Sequence, residues 1–239
     1  MMRGPVHFIP ILTTLITIPF ATVLYIRWRE RGGAHLLAWA IGVFLYGVGT
    51  FTEASVTLFG WHEPLFRAWY ISGALLGGAP LAQGTVYLMF PRRVANRFAI
   101  ALVTYVLVAA TFVLLVPIDY SLVEQHRLTG RVMEWGWVRL FSPVVNLYAA
   151  IFLIGGAIVS AIRYRRSAET YHRFIGNVLI ATGAILPGIG GSATRMGYTE
   201  VLYVTELLGI CLIWLGFRAN IRQPSRPPQA GARAGMTVA

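Results

Sequence analysis

Seven long apolar runs constrain the fold of this 239-residue chain more than any other feature. A helix needs about 20 mostly apolar residues to cross a hydrocarbon core ~30 Å thick, because each residue adds ~1.5 Å. The runs do not alternate polar and apolar residues as a membrane-spanning β-strand does. We therefore predict an all-α, polytopic membrane protein built as a seven-transmembrane-helix bundle. The predicted spans are 8–26, 34–58, 68–90, 97–117, 139–162, 173–194 and 200–217.

The distribution of arginine predicts the orientation of this bundle. Only 12% of the residues are charged, and the 20 basic residues are all arginine. Fourteen of them follow the first, third, fifth and seventh spans, whereas six lie on the other side. Cytoplasmic loops carry the basic excess, so we expect the N-terminus outside and the C-terminus in the cytoplasm. The net charge of +11 is then explained by topology and by anionic headgroups of the lipid bilayer. No nucleic acid partner is expected.

The domain organisation and the chemistry of the chain are predicted to be simple. Residues 1–218 form the transmembrane domain, and the Pro-, Gly- and Ala-rich segment 219–239 is interpreted as a disordered cytoplasmic tail. The absence of lysine excludes a retinal Schiff base. The five histidines lie at span ends or in loops, without the matched positions that haem ligation needs. Cys211 is the single cysteine. No cofactor, metal site or catalytic residue is therefore predicted, and the chain is interpreted as not being an enzyme.

Two glutamates inside the predicted spans are the main candidates for a functional site. Ionisable groups are costly to place in a membrane and often mark function. Glu53 in the second span and Glu206 in the seventh are expected at similar depth, towards the outer face. Arg195 at the outer end of the sixth span is the nearest plausible counter-charge, and Gln83 adds a polar group in the third span. These four residues are predicted to bind a ligand; the alternative is a structural ion pair.

The sixth span contains an unusual density of helix-perturbing residues. Pro187 lies among Gly183, Gly188, Gly190 and Gly191. Proline removes one backbone hydrogen bond and clashes with the preceding turn, so a kink is expected here. Either this kink lets the helix pivot, or it is static and the glycines allow close packing against a neighbour.

Three stretches carry a resemblance to a known family. They are AWAIGVFLYGVGTFTEAS (38–55), FRAWYISGALLGGAPLAQGTVYLMFPRR (66–93) and the region 164–218, with its basic loop, L-P-x-x-G sequence and final apolar helix. Together they resemble the seven-helix N-terminal sensory region of bacterial histidine kinases. That family usually continues into a cytoplasmic kinase or cyclase domain, and this chain departs from the pattern. The resemblance implies a sensor that passes its signal to a separate protein.

Three functions are considered on this basis. The first is a membrane-embedded sensory or ligand-binding module of a bacterial inner membrane, signalling through a separate membrane or signalling protein. The second is an accessory or scaffolding subunit of a larger membrane complex, since the chain offers contacts rather than chemistry. The third is a lipid- or isoprenoid-modifying enzyme in which Glu53 or Glu206 acts as a general acid.

Overall fold

The computed structural model describes residues 4–221 and is all-α, as predicted. Within these residues the only β-pairing is an isolated bridge between Ile118 and Met133. The helices, in chain order, are α1 (Ile9–Arg31), α2 (Ala34–Phe59), α3 (Glu63–Trp69), α4 (Ala79–Met89), α5 (Arg92–Leu115), α6 (Phe141–Ala149), α7 (Gly155–Tyr164), α8 (Tyr171–Arg195) and α9 (Thr199–Ile221). The predicted tail lies outside the described residues, except that its first three residues continue α9.

Six helical segments of the described chain are long and apolar enough to cross a membrane. They correspond to the predicted spans other than the third, so a multi-pass membrane protein is supported. The count of seven spanning helices is not confirmed, because the third predicted span is a broken helix. The six segments are Pro5–Arg31, Ala34–Phe59, Arg92–Leu115, Gly136–Tyr164, Tyr171–Arg195 and Thr199–Ile221.

The broken third element consists of α3, a π-helix over Tyr70–Leu75, a turn and α4. The turn contains Gly77 and Gly78, and Pro80 lies in the first turn of α4, where its missing N–H removes no helical hydrogen bond. Gly73 in the π-helix lies against α2, since a side chain built on Gly49 would be 3.3 Å from the Gly73 Cα. A π-helix is rare and is frequent at functional sites. The break therefore brings irregular backbone next to α2.

Glycine residues end several helices. Gly32 and Gly33, between α1 and α2, have φ values of 67° and 95°, and Gly60 after α2 has 85°. These positive values favour glycine because a side chain would clash with the backbone. They fix the connections as short turns, so consecutive helices pack side by side.

The closest helix packing joins α8 to α9 along a row of small residues. Gly176, Gly183 and Gly190 repeat every seven residues on α8, and Gly216 and Gly209 repeat at the same interval on α9. A Cβ added at Gly183 would lie 2.6 Å from the Gly209 carbonyl oxygen. Small residues let membrane helices approach this closely. Pro187 lies within the continuous helix α8. Of the four glycines near it, Gly183 and Gly190 pack against α9, whereas nothing lies within 4 Å of a Cβ added at Gly188 or Gly191.

The bundle has two chemically different ends. At the loop end, residues 60–62, 116–135 and 196–198 connect the helices; at the arginine end, residues 32–33, 90–91 and 165–170 connect them. The long segment at the loop end is packed, with Ile118, Val132 and Met133 buried in a cluster with Phe66 of α3 and Val113 of α5. It covers that end of the bundle with apolar side chains.

Three arginines at the loop end donate hydrogen bonds to backbone carbonyl oxygens at the C-terminal ends of helices. Arg67 donates hydrogen bonds to the Val113 and Val116 carbonyl oxygens at the end of α5 and pairs with Glu63. Arg127 donates to the Thr194 carbonyl oxygen at 3.1 Å, and Arg131 donates to that of Arg195 at 3.2 Å. The last carbonyl groups of a helix have no partner within the helix. These arginines supply one, so their role is structural.

Candidate functional site

Glu53 is a buried carboxyl group held by the broken third element. It lies on α2, and only 3% of its surface is exposed. Its Oε1 accepts a hydrogen bond of 2.9 Å from the indole N–H of Trp69, the last residue of α3 before the π-helix. The irregular third element therefore provides the fixed donor for this carboxyl group.

Glu206 on α9 lies beside Glu53. The Oε2 atom of each glutamate is buried and has no hydrogen-bond partner within residues 4–221. Tyr46 precedes Glu53 on α2, and its hydroxyl donates a hydrogen bond of 2.9 Å to the backbone oxygen of Glu206. Two of the predicted site residues are thus brought together.

The glutamate pair has no basic counter-charge. Within the described part of the chain, ion pairs involve other residues, and neither Glu53 nor Glu206 takes part in one. Two ionised carboxylates side by side repel each other, and a hydrogen bond between carboxyl groups needs a proton. A single proton held between the two carboxyl groups would remove this repulsion. Glu53 accepts a hydrogen bond from Trp69, so in such a pair Glu206 would be the donor.

The other two predicted site residues lie elsewhere. Arg195 is exposed at the end of α8 and makes no ion pair with the glutamates; its backbone oxygen accepts from Arg131. Gln83 is buried on α4, where its Nε2 donates to the Ala95 carbonyl oxygen at 3.0 Å. Its Oε1 accepts from the Tyr148 hydroxyl at 2.6 Å. Both polar ends of Gln83 are therefore satisfied by the protein, which favours a structural role.

A larger feature, which the predicted residues do not include, is a cavity of about 670 Å³ at the arginine end. It lies between α1, α2, α4, α7, α8 and α9, with one lining residue from a second π-helix, Ala150–Ile154, which joins α6 to α7. Its volume falls within the range typical of small-molecule sites. Its inner wall is apolar and includes Phe20, Leu24, Leu36, Leu153 and Phe217, all of which belong to the buried core. The volume of the cavity and its largely apolar lining would accommodate a small molecule.

Four arginines line the mouth of this cavity. They are Arg27, Arg31, Arg163 and Arg173, and no Asp or Glu is among the lining residues. None of the four has a carboxylate within ion-pair distance in the described range 4–221. Arg27 lies 5.7 Å from the centre of the Phe217 ring, which orients its guanidinium without neutralising it. At the loop end, in contrast, Arg67, Arg127 and Arg131 donate hydrogen bonds to backbone carbonyl oxygens.

The arginines of the cavity are evident in the sequence, but no sequence pattern distinguishes them from other arginines of the same loops. Each of them was explained by topology alone, because a basic excess at one end is what any multi-pass protein shows. Which arginines face a common cavity depends on the packing of helices that are far apart in the chain. Metal binding is not indicated: the described residues contain no group of three or more His, Cys, Asp or Glu.

Comparison with known proteins gives no relative. No family model matches the chain, and neither a curated protein nor a solved structure matches it.

Proposed function

We propose that this protein is a membrane-embedded ligand-binding module that signals through a separate partner protein. The cavity at the arginine end is the observation that carries the proposal. We further propose that the broken element crosses the membrane over residues 68–90 as a seventh span, with the loop end outside and the arginine end in the cytoplasm. This arrangement follows the positive-inside rule.

The position of the cavity supports entry of a ligand from the bilayer. Leu88 and Met89 of α4 and Val159 of α7 line it and are also exposed, by 56%, 44% and 48%. Exposed apolar side chains on a spanning segment face lipid. A ligand moving laterally from the membrane therefore meets an apolar entrance before it reaches the polar groups.

The walls of the cavity support a change of shape on binding. They come from both well-packed helix pairs, α1 with α2 and α8 with α9, and from α4 and α7 between them. A ligand shifts a conformational equilibrium when it binds one arrangement better than another. An occupant that sets the spacing between these pairs at the cytoplasmic end has this property.

The proposal is tested by asking whether the purified protein retains a small molecule in its cavity. Protein isolated from native membranes in mild detergent is analysed by native mass spectrometry and by extraction. Ser160 lines the cavity, so Ser160→Trp fills part of it, whereas Ser192→Trp places the same side chain on the exposed surface of α8. We expect a retained molecule in the wild type and in Ser192→Trp, and its loss in Ser160→Trp. No retained molecule in any of the three proteins refutes the proposal.

Signalling is tested separately by quantifying the proteins that co-purify. A kinase- or cyclase-like partner whose recovery changes in the Ser160→Trp variant supports a sensor. A fixed stoichiometric set of membrane subunits, unchanged in that variant, indicates an accessory subunit instead.

A further inference from the structure

We infer that the ligand of this cavity is a lipid with an exposed phosphate headgroup, held by Arg27, Arg31, Arg163 and Arg173 with its chain along the apolar wall. This inference rests on the proposed function and specifies the chemistry of the ligand.

The charge of the residues that line the cavity favours an anion. Four arginines line it, no acidic residue is among the lining residues, and the described residues supply no ion-pair partner for these arginines. Arg27 and Arg173 lie over the neutral rings of Phe217 and Tyr164, at 5.7 and 5.6 Å from the ring centres. Two acidic residues of the same end, Glu30 and Glu169, are exposed and do not pair with these arginines. The guanidinium group binds phosphate oxygens with two parallel hydrogen bonds, and several arginines suit a group with more than one negative charge. A phosphate has this charge and this geometry.

The apolar wall requires that the anion carries a chain. A free phosphate contacts only the arginines and leaves most of the ~670 Å³ unfilled and the exposed apolar lining residues Leu88, Met89 and Val159 uncovered. Burial of apolar surface contributes about 25 cal/mol per Å². A hydrocarbon chain gains this term and a free ion does not, so a phospholipid is favoured over inorganic phosphate.

The sequence beyond Ile221 does not offer a charge complementary to the cavity. It carries Arg222, Arg226 and Arg233 and contains no acidic residue. Charge complementarity therefore favours an anionic molecule from the membrane as the occupant.

The inference is tested with the full-length protein in detergent and defined lipids. Native mass spectrometry measures the binding of phosphatidic acid, whose phosphate is exposed, and of phosphatidylcholine with the same acyl chains, whose phosphate is neutralised by choline. We expect phosphatidic acid to bind at least about tenfold more tightly, because charge-assisted hydrogen bonds strengthen its contacts. Competition with inorganic phosphate separates the lipid from the free ion. Displacement at equal concentrations overturns the requirement for a chain.

Single substitutions then assign the headgroup to the arginines. Arg163→Gln and Arg173→Gln are each expected to weaken phosphatidic acid binding about tenfold and to leave phosphatidylcholine binding unchanged. Arg93→Gln is the matched control, since Arg93 lies at the same end but does not line the cavity. An equal loss in Arg93→Gln indicates a general electrostatic effect and overturns the inference.

The failures of the two proposals are distinguishable. If the protein retains a neutral molecule that Ser160→Trp releases, ligand binding stands and the phosphate assignment falls. If no molecule is retained and neither lipid binds, the proposed function itself falls. The lipid comparison uses only the wild-type protein, so it remains decisive if an arginine variant does not fold.

Discussion

Replacing Glu206 with glutamine should leave the stability of the bundle almost unchanged. If Glu53 and Glu206 share one proton, the protonated Glu206 is a neutral hydrogen-bond donor to Glu53. The amide of glutamine has nearly the same shape, is also neutral and donates an N–H in place of the O–H. Glu206→Ala, in contrast, removes the donor that a shared proton would provide to the buried Glu53 carboxyl group. An unsatisfied buried polar group costs about 1–3 kcal/mol, more when it is charged.

The difference between the two variants is large enough to measure. For a chain of 150–250 residues, 1 kcal/mol corresponds to about 2–4 °C in the unfolding midpoint. Glu206→Ala should therefore unfold roughly 2–12 °C below the wild type, and Glu206→Gln within about 2 °C of it. Thermal unfolding in a fixed detergent, followed by intrinsic tryptophan fluorescence, gives both midpoints.

A marked increase in stability in Glu206→Gln would refute the shared proton. It would mean that both carboxyl groups are ionised in the wild type, because removing one of two repelling charges then relieves the pair. A loss as large as that of Glu206→Ala would show instead that the contact with Glu53 needs an ionised Glu206. The double variant Glu53→Ala with Glu206→Ala isolates the coupling, which should exceed 0.5 kcal/mol for residues in direct contact.

Two further predictions concern the packing of the helices and the loop end. Gly183→Val should destabilise the protein by about 1–3 kcal/mol or more, because its Cβ would collide with the Gly209 backbone on α9. Gly188→Val is the control, since nothing lies within 4 Å of its added Cβ. Equal thermal unfolding midpoints for the two variants would contradict the role of the glycine row. Glu63 lies outside the predicted spans, and hydrogen bonds from Tyr120 and Arg67 lower its pKa from the ordinary value of 4.5. Its contribution to stability is therefore present above pH 4.5 and is lost as the pH falls through the lowered pKa. The difference in unfolding midpoint between wild type and Glu63→Gln should be present at pH 7 and disappear in acid; a difference that grows in acid would contradict this sign.

Hydropathy predicted the helices because the membrane fixes their length. The predicted second span, 34–58, matches α2 at Ala34–Phe59, and the prediction of the last span at 200–217 lies within Thr199–Ile221. The break in the third span was not predicted, because a hydropathy average does not register a π-helix or a turn. It depends on the close approach of Gly73 to Gly49 on α2.

The candidate site was predicted in part for a similar reason. Counting residues from the span ends placed Glu53 and Glu206 at the same depth, and depth is a property of one helix at a time. Whether a side chain meets a particular partner depends on rotation and packing. Gln83 is therefore satisfied by Tyr148, 65 residues away, and Arg195 is directed to the exposed end of α8. The cavity could not be predicted, since six helices enclose it.

The two features of the site share helices α2 and α9, and the way these helices touch is informative. α9 packs backbone to backbone on α8 through the glycine row, so these two helices form one unit. Its link to α2 is made by side chains, through Glu53 with Glu206 and through the Tyr46 hydroxyl on the Glu206 carbonyl oxygen. These side-chain contacts are lost after a smaller helix displacement than the backbone packing of α8 and α9, because hydrogen bonds weaken steeply with distance and angle. Residues of the same two helices line the cavity nearer the arginine end. A ligand that changes the spacing of α2 and α9 there would therefore also change the contact between Glu53 and Glu206.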